Sequence, residues 1–523
     1  MAFGFFKKAE KADKIYKNGK FYTQDESYPW CEAVACRGGK ILACGDSESI
    51  MDWAEDDAEV VDLQGNYVLP GFIDINGHPG YEAVKDSINI IEDAGDLDEI
   101  LGIVANKCDG MMPFSMEGGI AGIFGGGLAG AEAEADLAEE TGIDGEGDLA
   151  IEAGLDESGD LIAEESLPEL QGVLFIISGT NLPEDLTGED LREKLDERTG
   201  ETPVVLLFRD KNLMVPNTAA AEAVKAFAEA TGARVVNMAM MAEALNLLNF
   251  DEVEQQAVNL AGDYCEKGYT SVVNNGYIEY FDSVYSDIQV EMMGSGILKQ
   301  RLFDRVGLSG PYPEQAVQAL LQRKKVKYQE MEGKIREAGL LVNTSPRFED
   351  LSEELGGMCR IAAESGFNVK VNADSDEDAR EALEVLVNLA GKGYRKVHFT
   401  LAHHTNFEEE ERLDAGLGTE IAEAVPVGMD YLAGKEPGSV AEAVEMLTLG
   451  AAAELGVADE LGSIEVGKQA DFAVFEENPL DAAGIKLFRK CRARMTVVGG
   501  EIVYDEEEDV ANEWYEILVK QQY

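Results

Sequence analysis

Apolar and polar positions alternate along residues 12–70 in short runs broken by turn pairs: KIYKNGKFYT, EAVACRGGKILACG and EVVDLQGNYVLPG. Period-two alternation between Asn-Gly, Gly-Gly and Gly-Asn turns predicts strands joined by hairpins. Residues 462–505 repeat the pattern in GSIEVGKQADFAVFEENP and ARMTVVGGEIVYDEE. The two chain ends are therefore expected to complete one sheet domain between them.

The interior has another rhythm. Apolar runs such as GFIDING, GVLFIIS, TPVVLLFRD, YTSVVNNG, FNVKVNAD, VHFTLAHH and AVPVGMD alternate with helical stretches such as TAAAEAVKAFAEATG and DEDAREALEVLVNLAGKG. Repeated strand–helix alternation predicts an α/β parallel sheet, most economically a closed TIM-like (β/α)8 barrel, with an open doubly wound sheet as the alternative. Residues 105 to about 170 break the rhythm with the glycine cluster GGIAGIFGGGLAG and a following acidic stretch, read as an insertion, a lid or an assembly surface.

With 523 residues the chain is long enough for several domains, and 45% hydrophobic with 28% charged residues excludes a disordered polar chain. The net charge of −59 repels phosphate backbones and anionic headgroups, so no nucleic-acid and no membrane partner is expected. No run approaches the roughly 18 to 20 apolar residues of a membrane span. The start, MAFGFFKKAEKADK, does not read as a signal peptide, and seven cysteines suit free thiols. The expected localisation is cytoplasmic.

Several motifs are weak. Gly125, Gly127 and Gly130 match G-x-G-x-x-G, but Glu132, Glu134 and Asp136 in the following helix would oppose a phosphate. Cys31, Cys36 and Cys44 fit no zinc or iron–sulfur spacing, and Cys36 and Cys44, at apolar-phase positions of two expected strands, read as small core residues. No G-x-S-x-G elbow is present, and Cys359 has no suggestive partner.

The four histidines say more. His78 follows PGFID, His403 and His404 end KVHFTLAHH, which also contains His398, and Asp430 ends AVPVGMD. A barrel gathers the C-terminal ends of its strands at one mouth. Imidazoles joined there by a carboxylate are ligand chemistry for zinc or a similar divalent metal.

At these residues the chain resembles the amidohydrolase superfamily, in the branch that includes N-substituted formamide deformylases (amidohydrolase family 3). The likeness rests on NGKFYTQDESYPWCEAVACRGGKILACG, VVDLQGNYVLPGFID, LPEDLTGEDLREKLDERTGETPVVLLFRDKNLMVPNTAAAEA and GSIEVGKQADFAVFEENPL. It implies a β-sandwich domain from residues 1–70 and 456–523, a TIM-like barrel over 71–455 carrying the insertion at 105–170, and a homodimeric habit. It also implies a metal site of which only part is present. The family's first-strand His-x-His is Asn76-Gly77-His78 here, and a later histidine is Asn372. The following one matches His403, preceded by Ala402 in place of glutamate. The catalytic aspartate matches Asp430, a bridging lysine corresponds to Lys327, and a further histidine position holds Leu213.

The expected function is a metal-dependent hydrolase of a non-peptide C–N bond in a small amide, formamide or cyclic amide. His78, His403 and Asp430, with Lys327, would hold one zinc (iron or manganese as alternatives, or no metal at all). Asp430 would act as general base and then acid, with His404 or His398 at the oxyanion. The alternative is a catalytically degenerate amidohydrolase-like protein with a binding or assembly role. A third reading gives acid–base work to Asp374 and Asp376, whose simpler role is capping the helix DEDAREALEVL.

Overall fold

The structure is a computed structural model that describes residues 11–507 apart from 93–94, 109–170, 179–181, 184–185, 209–212, 232–237, 277–278, 295–299, 331–334, 346–347, 349, 395, 404, 406, 408–420 and 424–436. The expectations placed on the glycine cluster, the acidic stretch, His404 and Asp430 lie outside the described residues. The chain divides into two compact units, Met1–Ala83 with Glu254–Tyr523, and Val84–Val253.

Seven parallel strands form the main sheet of the first unit. In chain order they are β1 (Phe72–Asp74), β2 (Tyr269–Asn275), β3 (Arg301–Ser309), β4 (Ile335–Asn343), β5 (Val369–Asn372), β6 (Phe399–Ala402) and β7 (Ala422–Glu423). Each strand pairs with the next in sequence, the order expected of a β/α barrel wall. Helices α1 (Glu279–Gly294), α2 (Glu314–Glu330), α3 (Leu351–Ser365) and α4 (Asp376–Ala390) connect them.

The helices begin and end where local chemistry dictates. Asp350 caps α3 by accepting the Glu353 N–H, and Gly366 closes it in the left-handed region at φ 86°. α4 is capped by Ser375, which accepts from Asp378 N. Asp376 thus lies in the first turn and is not the cap, which corrects the capping expectation.

Odd and even positions of the strands face different cores. Val306, Leu308, Leu340, Val342, Val369 and Val371 pack outward against α2, α3 and α4. Ile73, Ile75, Val273 and Phe303 pack instead with Ala451 and Ala452 from the helical segment Val440–Glu454 and with Leu455, which caps it. Strands buried on both faces read as continuous apolar runs, which explains their legibility in the sequence. At the β2–β3 ends a side chain on Gly307 would place its Cβ 1.9 Å from Gly276 O, so only glycine fits.

The same unit contains a four-stranded and a six-stranded sheet. The six-stranded one joins both chain ends, since Tyr67–Pro70 pairs antiparallel with Phe472–Phe475 and parallel with Lys20–Tyr22. Tyr16, Phe21 and Phe472 meet edge to face at its centre. Cys31 and Cys36 are buried in that core with Cys44 packed against it, and burial pushes the Cys36 thiol up to about 12. Cys359, buried in the α3 core, is likewise pushed up to about 12, so it is not a nucleophile.

The second unit has a sheet of its own, in the order 213–216, 204–208, 173–178, 89–92. The apolar runs GVLFIIS and TPVVLLFRD belong here, packed with helices Leu97–Cys108 and Gly188–Thr199. These strands pair among themselves and not with the seven-stranded sheet among the described residues. Leu213, a degenerate ligand position by resemblance, also lies in this sheet.

Candidate functional site

The C-terminal ends of β3 to β6 finish level with one another. Ser309 is in register with Asn343, Asn343 with Asn372, and Asn372 with Ala402. Asn343 turns its Nδ2 toward Leu308 O (3.5 Å) and Ser309 Oγ (3.3 Å), which leaves its Oδ1 to accept from Asn372 Nδ2 at 3.0 Å. Asn372 is thus tied sideways into a row of neutral amides. His403 follows β6 directly, half-buried, with Phe407 edge-on at a centroid distance of 4.8 Å.

The end of β1 is held from beneath. Asn275, the last residue of β2, donates from Nδ2 to Ile75 O and Gly77 O, both at 2.9 Å. Its backbone carbonyl accepts from His78 Nδ1 at 2.7 Å. A carbonyl only accepts, so Nδ1 carries the proton and the lone pair of neutral His78 resides on Nε2. This is the tautomer of a metal-ligating or substrate-facing imidazole. Gly77 is required between the two, because a Cβ there would sit 2.9 Å from the Tyr264 hydroxyl and 3.2 Å from Val273 O.

Below Asn275 lies a buried ionic triad that the sequence reading missed. Arg305 Nη1 donates to Asn275 Oδ1 at 3.0 Å, and its Nη2 reaches Glu454 Oε1 at 3.5 Å. Lys370 Nζ donates to the same Glu454 oxygen at 2.7 Å and lies 3.5 Å from Asn76 Oδ1. Desolvation lowers both the Lys370 ammonium and the Arg305 guanidinium from their ordinary values, although Glu454 opposes the shift. Two cations share one carboxylate, with almost no exposure.

The neighbouring residues face the other way. Asn274 accepts Gly80 N–H and donates to Asp304, which also receives Lys324 Nζ (3.1 Å) and the Tyr328 hydroxyl (3.0 Å) from α2. The consecutive pairs Asn274–Asn275 and Asp304–Arg305 therefore serve two separate networks.

Two expected site residues are misplaced. Lys327 projects from α2 and pairs with Asp287 of α1 at 2.9 Å, in the helical layer, so it is not a bridging ligand at the strand ends. His398 precedes β6, at the opposite end of the strand from His403, and its ring packs over Gly456. It is not an oxyanion donor at the mouth.

A two-metal centre does not fit these residues. An ammonium already lies against the Asn76 oxygen, and Asn372 is engaged with Asn343. Among the described residues no group of three or more His, Cys, Asp or Glu is placed to hold a metal. His78, by its tautomer, fits a single ion at most.

Residues 419–504 match the model of the amidohydrolase family. The chain is 32% identical over 103 residues to an N-substituted formamide deformylase of Arthrobacter pascens, covering 19% of this chain and 19% of that protein. It is also 32% identical over 84 residues to the exoenzymes regulatory protein AepA of Pectobacterium carotovorum subsp. carotovorum, covering 16% and 18%. The alignments thus span about a fifth of the length of these curated relatives. A crystal structure of a triazine hydrolase variant shares the fold at 13% identity and a TM-score of 0.50, over 97% of this chain and 98% of that one.

Proposed function

Starting from the amidohydrolase-family segment at residues 419–504 and the shared fold, we propose that this chain is a hydrolase of a non-peptide C–N bond in a small amide-type molecule. The observation that carries the reading is the His78 ring, fixed through Nδ1 on Asn275 at the C-terminal end of β1. His78, His403 and Asp430 would hold one divalent ion, zinc in the first instance, which supplies Lewis acidity toward the scissile carbonyl. Asp430 takes the proton of the attacking water and returns it to the leaving nitrogen. Residues 1–70 and 456–523 are proposed to act as a composite β-sandwich domain beside a barrel over 71–455. The proposed setting is a cytoplasmic homodimer.

A second reading is favoured by one contact. Lys370 beside Asn76 belongs to a barrel whose two-metal chemistry has gone, and such a barrel would serve in binding or assembly. Elemental analysis of chain purified without chelator separates the two. About one equivalent of metal, lost in His403→Ala, with turnover of an amide panel abolished in a folded Asp430→Ala chain, supports the hydrolase. Chain that stays metal-free and inactive after zinc, manganese or iron is added supports the binding role.

A further inference from the structure

We infer that Lys370 is a fixed internal cation that occupies the charge position of a metal ion at the end of β1 and bars a metal from residue 76. The geometry gives three reasons. An ammonium has three donors and no acceptor, so the Asn76 amide must present its oxygen to Lys370 Nζ, 3.5 Å away. That oxygen is the only part of an asparagine side chain that ligates a metal, since the amide nitrogen has no available lone pair. The ammonium is itself held in place by Glu454 at 2.7 Å, with Arg305 beyond it adding a second positive charge. A divalent ion at residue 76 would therefore meet a buried positive charge at short range, in surroundings where screening by water is weak.

This cation differs from a metal in one consequence. It is covalently part of the chain, so the positive charge at the foot of the mouth survives any chelator. The inference stands on Asn76, Lys370 and Glu454 and does not depend on whether His78 holds an ion.

Calorimetric titration of the chelator-stripped full chain with zinc chloride tests it, in wild type, Asn76→His, and Asn76→His combined with Lys370→Met. Asn76→His alone is expected to take up no more zinc than wild type. Removing the lysine charge from the Asn76→His chain should add a binding event or tighten zinc binding by about tenfold or more. Lys370→Met leaves Arg305 and Glu454 as a one-to-one pair, so the variant is expected to fold. Lys370→Gln in the same background is a second neutral test, and Lys370→Arg, which keeps the charge, should behave like Asn76→His alone. Equal gain of zinc in Asn76→His with and without the lysine charge overturns the inference, as does uptake of two equivalents by wild type. Zero uptake by wild type would end the one-ion hydrolase reading, while the comparison among the Asn76→His chains still decides the role of Lys370.

Discussion

The carbonyl oxygen of Asn275 accepts a 2.7 Å hydrogen bond from His78 Nδ1, while the side chain of the same residue ties down the backbone on both sides of Asn76. One residue at the end of β2 therefore sets both the ring orientation of His78 and the path of the chain leading to it. The Asn275 amide is held in turn by Arg305, so the alignment of the β1 end traces back to the buried triad.

Asn275→Ala should cost about 2–4 kcal/mol, because it takes the acceptor from Arg305 Nη1 and the amide donor from Ile75 O in a buried place, while Gly77 O keeps the backbone N–H of residue 275. Urea denaturation monitored by circular dichroism measures this. A loss under about 0.5 kcal/mol would mean that water replaces the amide without penalty, and that the β1 end does not depend on it.

The triad predicts an asymmetry between its members. Glu454→Gln strands two buried cations and should destabilise by about 3–5 kcal/mol. Lys370→Met leaves a balanced Arg305–Glu454 pair and should cost less than about 1.5 kcal/mol. Combining the two leaves one uncompensated cation instead of two, so the double variant should be more stable than Glu454→Gln. Melting curves of the three chains decide the matter, and a double variant less stable than Glu454→Gln would show that the lysine is not repelled in its absence.

Much of the barrel wall was legible because both faces of its strands are buried. GFID, TSVVNN, FNVKVNA and HFTLA each fall on a parallel strand. The runs GVLFIIS and TPVVLLFRD have the same signature yet form a second sheet, since an apolar run says that a strand is buried and not which sheet buries it. Lys370 and Arg305 escaped notice for a related reason. A polar residue in VKVN or LFDRVG reads as the solvent face of an alternating strand, but a barrel's alternate face is its interior. Asn76, Asn372, His78 and His403 were all singled out from the sequence. The cation beside Asn76 comes from a strand 294 residues away, a separation at which pattern carries no information.

Glu337 in β4 supplies a pH prediction. Burial raises its carboxyl from the ordinary value to about 7, against the opposing Asn368 backbone bond and the Lys325 charge. The folded state thus holds its proton where the unfolded chain has released it, so this contribution is full below about pH 4.5 and is lost as pH rises through about 7. Glu337→Gln should therefore be more stable than wild type at pH 8 by about 1–2 kcal/mol, allowing for partial exposure, with the gain vanishing at pH 4. Denaturant midpoints at the two pH values test it, and an equal effect at both would remove Glu337 as the titrating group.

The start of β3 is clamped to the C-terminal strands by a fork. Arg301 Nε donates to Asp471 Oδ2 at 2.7 Å and Nη2 to Oδ1 at 3.0 Å, with Gln469 Oε1 as a further acceptor at 3.1 Å. Asp471 is nearly buried, and its Oδ1 also receives the Gly499 N–H. Lysine offers a point charge in place of a planar fork, so Arg301→Lys should keep the charge yet lose most of the clamp, at about 1.5–3 kcal/mol. Asp471→Asn should cost more, because it weakens both the fork and the acceptor for Gly499 while leaving a guanidinium poorly paired. If Arg301→Lys is as stable as wild type, the clamp acts through charge alone and its two-point geometry contributes nothing.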